Sequence, residues 1–187
     1  MRNKIFLDID GCLVSYTRFE RKKVVIDGVE FHNPVPLSQS ISALNSIASF
    51  MDADIVVTSS WRDSCGFKEL DAYFKYYGMS ADIVACTEPV LSDTYFFTRG
   101  EEIVHYIDGL SELPSMVLII EDTPESLYPF VSEQDFPGEC YSSRNVLVTN
   151  RYRCLDEYDA EYVFKQVIST RYDAARHAEL LSTAKNK

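Results

Sequence analysis

Two aspartates one residue apart close an apolar run near the start of the chain: in "IFLDIDGCLVSY", Asp8 and Asp10 precede Gly11. Side chains in an extended segment alternate, so Asp8 and Asp10 point to the same side while Ile9 returns to the core. Two carboxylates that close demand a cation or a shared proton. Gly11 permits a tight backbone departure that brings main-chain groups near a ligand. A lone D-x-D-G also suits turn or cap residues, so other clusters must decide. Two further apolar runs end in polar groups: "DIVVTSSWRD" offers Thr58, Ser59, Ser60 and Arg62, and "MVLIIEDTPES" offers Glu121 and Asp122. Acidic, hydroxyl and acidic ends in that order suit magnesium, a hard cation that prefers oxygen ligands, together with a phosphate.

The elements that must position these groups read as a βαβ alternation. Short Val- and Ile-rich runs at 4–9, 54–59, 82–87, 116–120 and 145–149 have the look of parallel strands covered on both faces. Helical segments are expected at 38–51, 66–77, 100–110 and 157–184, the second ended by Gly78. The pattern predicts an α/β fold, a doubly wound and mainly parallel sheet, with functional groups in the crevice at the carboxyl ends of the strands. Residues 14–36 break the alternation: a basic run, "RFERKK", leads into "VVIDGVEF", whose Asp-Gly pair signals a hairpin flap. Residues 132–144 read as a polar loop, and the last few residues as frayed.

The length of 187 residues suits one compact domain spanning 1–187, with the flap as a small insertion. A formal charge of −11 argues against a broad nucleic-acid or anionic-membrane surface, while leaving room for a local basic pocket. The five cysteines form no C-x-x-C pair, so free thiols are expected rather than a disulfide framework or a zinc site. No run approaches the ~20 apolar residues that span a bilayer, and the N-terminus lacks a signal-peptide pattern. A cytoplasmic location follows as the expectation.

Taken in order, "FLDIDGCL", "VVTSSWR", "RGEEI" and "LIIEDTPESL" resemble the four motifs of the haloacid dehalogenase (HAD) superfamily of phosphohydrolases. The closest resemblance is to a small-cap branch linked to nucleic-acid repair proteins. It implies a Rossmann-like core and an Mg²⁺-dependent phosphomonoesterase. Asp8 would be the nucleophile that forms an aspartyl-phosphate, and Asp10 the general acid and then the base. Mg²⁺ would be held by Asp8, the backbone carbonyl of Asp10, Asp122 and waters. Thr58 would bind phosphoryl oxygens, with Ser59 as the fallback. Arg99 would supply the third-motif cation where the superfamily usually has Lys, with Lys68 and Lys75 as rivals. Glu121 departs from the usual Asp pair and is assigned to a metal-bound water or turned away.

Trp61 reads as core, and Arg62 as a substrate contact or a loop lock. With no long insertion to build a full cap, the site should be open. Arg18, Arg21, Lys22 and Lys23 of the flap could then rim it for a second phosphate. Expected partners are a phosphorylated small molecule or nucleotide, extending to a nucleic-acid end, and no membrane. The alternative is a catalytically silent or signalling phosphate-binding module on the same fold. A receiver-like domain would need its acceptor Asp at a later central strand, where this chain has "TSS".

Overall fold

A computed structural model describes residues 2–18, 20–89, 98–127 and 146–168. Five parallel strands form the central sheet: β1 (Asn3–Leu7), β4 (Ala53–Val57), β5 (Ile83–Cys86), β6 (Val117–Glu121) and β7 (Val146–Val148). They lie in the order β5-β4-β1-β6-β7. From β1 the chain first builds outward through β4 and β5, then crosses back to place β6 and β7 on the other side of β1. The order therefore reverses at β1, which is where ligands settle in open α/β sheets.

Period-2 alternation sorts the strand residues between two cores. Ile5, Leu7, Ile55 and Val57 join a large buried cluster that includes Ile41, Leu44 and Ile47 of α1 (Ser38–Met51) and Leu70, Tyr73 and Phe74 of α2 (Phe67–Tyr76). Val163 and Val167 of α4 (residues 157–168) belong to the same cluster. The opposite face gathers Phe6, Val56 and Ile119 against Ile103 of α3 (Arg99–Asp108). Because Phe6 pairs with Val56 on one side and Ile119 on the other, these three form one row across the sheet. Two residues further along lie Asp8, Thr58 and Glu121, so the α3 face ends in polar groups at the strands' carboxyl ends.

The remaining two strands, β2 (Val24–Ile26) and β3 (Val29–Phe31), pair antiparallel as a hairpin. Asp27 and Gly28 between them have φ of 50° and 83°, the double left-handed turn that matches strand twist and that an Asp-Gly pair adopts readily. The hairpin's neck is closed by a bridge between Arg21 and Pro34 and by Val35 N–H donating to Glu20 O. Tyr73 Oη donates to the carbonyl of Pro34 at 2.9 Å, fastening the neck to α2.

Element boundaries differ from the sequence expectation by one or two residues. The shift that matters is at β4, which ends at Val57 and leaves Thr58 and Ser59 just beyond the ladder. A 3-10 turn at Ser60–Asp63 follows them. The expected polar loop at 132–144, the end of the expected helix beyond 168 and the terminal residues lie outside the described residues. Among the described residues no helix is long and apolar enough to cross a membrane.

At the other end of the sheet, Lys4 and Asp54 face each other across β1 and β4, with Lys4 Nζ 2.7 Å from Asp54 Oδ2. Arg2 Nη1 also donates to Asp54 Oδ1. Lys4 is 5% exposed, so Asp54→Ala strands a buried charge and should cost about 3 kcal/mol or more. Adding Lys4→Met in that background should restore most of the loss, and urea unfolding of the two variants checks both expectations.

Candidate functional site

The site begins where β1 stops. Asp8 N–H donates to Ile120 O at 2.9 Å, holding the aspartate against β6. The backbone then coils: Ile9 O accepts from the N–H groups of Cys12, Leu13 and Val14. Thr149, just past β7, donates from Oγ1 to Gly11 O at 3.1 Å, and Leu155 N–H donates to Cys12 O. Gly11 sits at φ +74°, and a Cβ built there would lie 2.4 Å from Asp122 Oδ2. Glycine is required twice over, by the left-handed backbone and by the approach of Asp122.

That turn brings three buried carboxylates together. One oxygen from each of Asp8, Glu121 and Asp122 lies within 4.8 Å of the others. Arg99 Nη1 bridges two of them, 2.9 Å from Asp8 Oδ1 and 2.7 Å from Glu121 Oε2. Its place is set by the start of α3, where Thr98 caps the helix in a reciprocal capping box with Glu101. Arg99 is thus a cation at a helix N-terminus, against the dipole, held there by the carboxylates it faces.

The charges do not balance. At about 4 Å and an effective dielectric near 20, each like-charged pair costs on the order of 4 kcal/mol, and Arg99 meets only two of the three acids. Burial and the neighbouring Asp8 push the Glu121 carboxyl up to about 8, against the pull of Arg99. Burial also raises Asp8, opposed by Arg99. Arg151, in the turn after β7, brings Nε to 3.5 Å from Asp122 Oδ2. Its guanidinium lies over the ring of Tyr16, but at 48% side-chain exposure it is well screened by solvent.

Asp10, half-buried, lies to one side of this cluster. Trp61 Nε1 donates to Asp10 Oδ2 at 3.0 Å, while the indole packs in the core near Tyr73 and Phe74. Burial raises the Asp10 carboxyl and the Trp61 hydrogen bond opposes the rise. Thr58 N–H donates to Leu7 O, which puts Thr58 beside Asp8. Thr58 Oγ1 is buried and makes no hydrogen bond, while the buried Ser59 hydroxyl lies close enough to Asp8 to favour its ionised form.

Arg62, for which the sequence left substrate contact or a loop lock open, is committed inward. It donates to Thr58 O, to Thr87 Oγ1 at 3.0 Å and to Glu102 Oε1 at 3.0 Å. At 11% side-chain exposure it ties the turn after β4 to α3. Of the two expectations, this geometry is that of the lock. Neither lysine rival of Arg99 approaches the carboxylates. Lys75 pairs with Asp71 and Asp82, the latter ahead of β5 at the far end of the sheet, and Lys68 lies near the ring of Phe67.

Sequence reading missed the Trp61 bond to Asp10, the contact of Gly11 with Asp122 and the nearness of Arg151. A signal existed for Glu121 alone. It shares alternation with Ile119, the partner of Phe6, and so faces α3 with Asp8.

The donor set fits Mg²⁺. All three acids offer hard oxygen, and Asp122 Oδ2 is buried without a hydrogen-bond partner, with only the solvent-screened Arg151 near it. An α/β sheet reversing at β1, with this acidic cluster at the reversal, defines a haloacid dehalogenase-type core. A family model described as "HAD domain in Swiss Army Knife RNA repair proteins" matches residues 4–160, and the chain belongs to that family. No curated protein and no solved structure matches it. Membership carries a phosphohydrolase-type function.

Gly11→Ala puts a methyl group into Asp122 and strains the backbone. Mg²⁺ should raise the melting temperature of the unaltered chain by binding its folded state alone. That gain should vanish in Gly11→Ala, as read by calorimetric melts with and without MgCl₂.

Proposed function

We propose that the chain is an Mg²⁺-dependent phosphomonoesterase working through an aspartyl-phosphate, with residues 1–187 as one catalytic domain and the hairpin as its minimal cap. The observation that carries this reading is the gathering of Asp8, Glu121 and Asp122 within 4.8 Å of one another, with Arg99 on the first two and the buried hydroxyls of Thr58 and Ser59 close by.

Mg²⁺ would be held by Asp8, the backbone carbonyl of Asp10 and Asp122. When bound it supplies positive charge that lets an anionic phosphate approach a carboxylate. Asp8 attacks phosphorus with a carboxylate oxygen, and the bond from phosphorus to the leaving oxygen breaks. Asp10 gives its proton to that oxygen, a role that suits a carboxyl raised by burial. Asp10, now ionised, takes a proton from water, the resulting hydroxide attacks the phosphoryl group, and phosphate leaves with the Asp8 carboxylate restored. Arg99 neutralises charge on the phosphoryl oxygens, and the hydroxyls of Thr58 and Ser59 donate to those oxygens. Trp61 acts by positioning Asp10.

The family's description names RNA repair proteins, which favours a nucleotide or a phosphorylated nucleic-acid end as substrate. Cys12, Cys65, Cys86 and Cys154 are free thiols, as suits a reducing cytoplasm.

The test is inorganic phosphate release from nucleoside monophosphates, phosphate-ended oligonucleotides and sugar phosphates, with and without MgCl₂, alongside Asp8→Asn. Release should require Mg²⁺ and disappear in Asp8→Asn; release that persists in this variant would sink the mechanism. Asp10→Asn should slow turnover about 10²- to 10⁴-fold, the usual range for losing a general acid. Trp61→Phe keeps an aromatic ring but loses the N–H, and should lower kcat about tenfold, the worth of one hydrogen bond to a charged group.

A further inference from the structure

We propose that the cleft beside Asp10 is a leaving-group subsite that binds a second phosphate, with Arg21 as its anchor. This rests on the phosphomonoesterase reading, in which Asp10 protonates the leaving oxygen. The rest of the substrate must then extend to the side on which Asp10 lies.

A cleft of about 350 Å³ opens there, lined by Asp10, Arg21, His32, Asn33, Ser60 and Trp61 among others. That volume takes a piece of a nucleotide rather than a large apolar ligand. Its chemistry is polar and donor-rich: a guanidinium, an imidazole, a carboxamide and a hydroxyl, with Asp10 as its acid. Arg21 and Asp10 line the same cleft. In a chain of net charge −11, a guanidinium set among neutral donors beside an acidic centre gives an anion one place to settle. An arginine fork suits phosphate oxygens in particular.

Arg21 differs from the rest of its basic run in how its backbone is held. Itself exposed, it sits at the hairpin's neck, bridged to Pro34, whose carbonyl accepts from Tyr73 Oη of α2. Tyr73 is fully buried and packs against Phe31. The backbone that carries Arg21 is thus fixed to the core on the same side as Trp61. The second phosphate could belong to a free nucleotide or to the next linkage of a nucleic-acid end; the chemistry offered to the two is the same.

Trp61 is the chain's single tryptophan and lines the cleft, so its fluorescence reports occupancy directly. The probes are a nucleoside monophosphate, the matching 3′,5′-bisphosphate and a short phosphate-ended oligonucleotide, titrated with MgCl₂ into the Asp8→Asn chain, where turnover is removed. The bisphosphate should bind at least about tenfold tighter than the monophosphate, as one charge-assisted contact provides. Arg21→Ala should erase that advantage, Arg21→Lys should keep part of it, and Lys23→Ala should leave it whole. An oligonucleotide that shares the advantage assigns the subsite to a nucleic-acid end, and one that lacks it assigns the subsite to a free nucleotide.

Equal affinity for the first two probes, or an Arg21→Ala variant that weakens both alike, overturns the inference. Arg21-dependent binding in a chain that releases no phosphate through Asp8 would instead remove the hydrolase reading and leave the anion subsite standing.

Discussion

Three carboxylates forced into one small buried volume govern everything around them. Water would keep Asp8, Glu121 and Asp122 apart at little cost, whereas the ends of β1 and β6 hold them within 4.8 Å. An arrangement so unfavourable persists only where the rest of the fold over-determines it, and where positive charge relieves it. Arg99 is the relief built into the chain, and its cost of desolvation is met by the Asp8 and Glu121 charges it faces. The helix start that presents Arg99 is in turn fixed by its capping box and by Glu102, which receives Arg62 from the turn after β4. A demand for charge at one strand end thereby organises two loops and a helix.

The division of labour across the sheet follows from the same row of residues. Phe6, Val56 and Ile119 are apolar and packed, while their successors two positions on are Asp8, Thr58 and Glu121. The rigid row aims the polar row. Beyond it, Trp61 joins packing to chemistry: its ring lies among Tyr73 and Phe74, and its N–H holds Asp10. Tyr73 carries that rigidity onward to the hairpin neck.

Much of this was legible in the sequence because strands and their ends obey simple rules. Apolar runs of Val and Ile marked all five sheet strands to within one or two residues, and α1 was expected at 38–51 where it lies at Ser38–Met51. The ordered motifs gave the family, and the Asp-Gly pair gave the hairpin turn. What escaped was contact between parts of the chain remote in sequence. Nothing in the spacing of "SSWRD" says that Trp61 turns toward Asp10 while Arg62 turns inward to Thr87 and Glu102. Nor does "NRYRC" announce an arginine beside Asp122. These depend on how loops close over the sheet, which packing decides and periodicity does not encode.

The contact between Gly11 and Asp122 also sets a rule of order. The first turn of the site is written in the opening residues, but its walls come from β6, from Thr149 and from Leu155, which hold Asp8, Gly11 and Cys12. During synthesis Asp8 leaves the ribosome about 140 residues ahead of Thr149, so the centre is assembled only once that later segment has followed. Until then the acids stand apart and solvated, with no shared place for a cation. The separation in sequence acts as a safeguard of synthesis: an unfinished chain has the first acid of the cluster without the walls that gather the others around it.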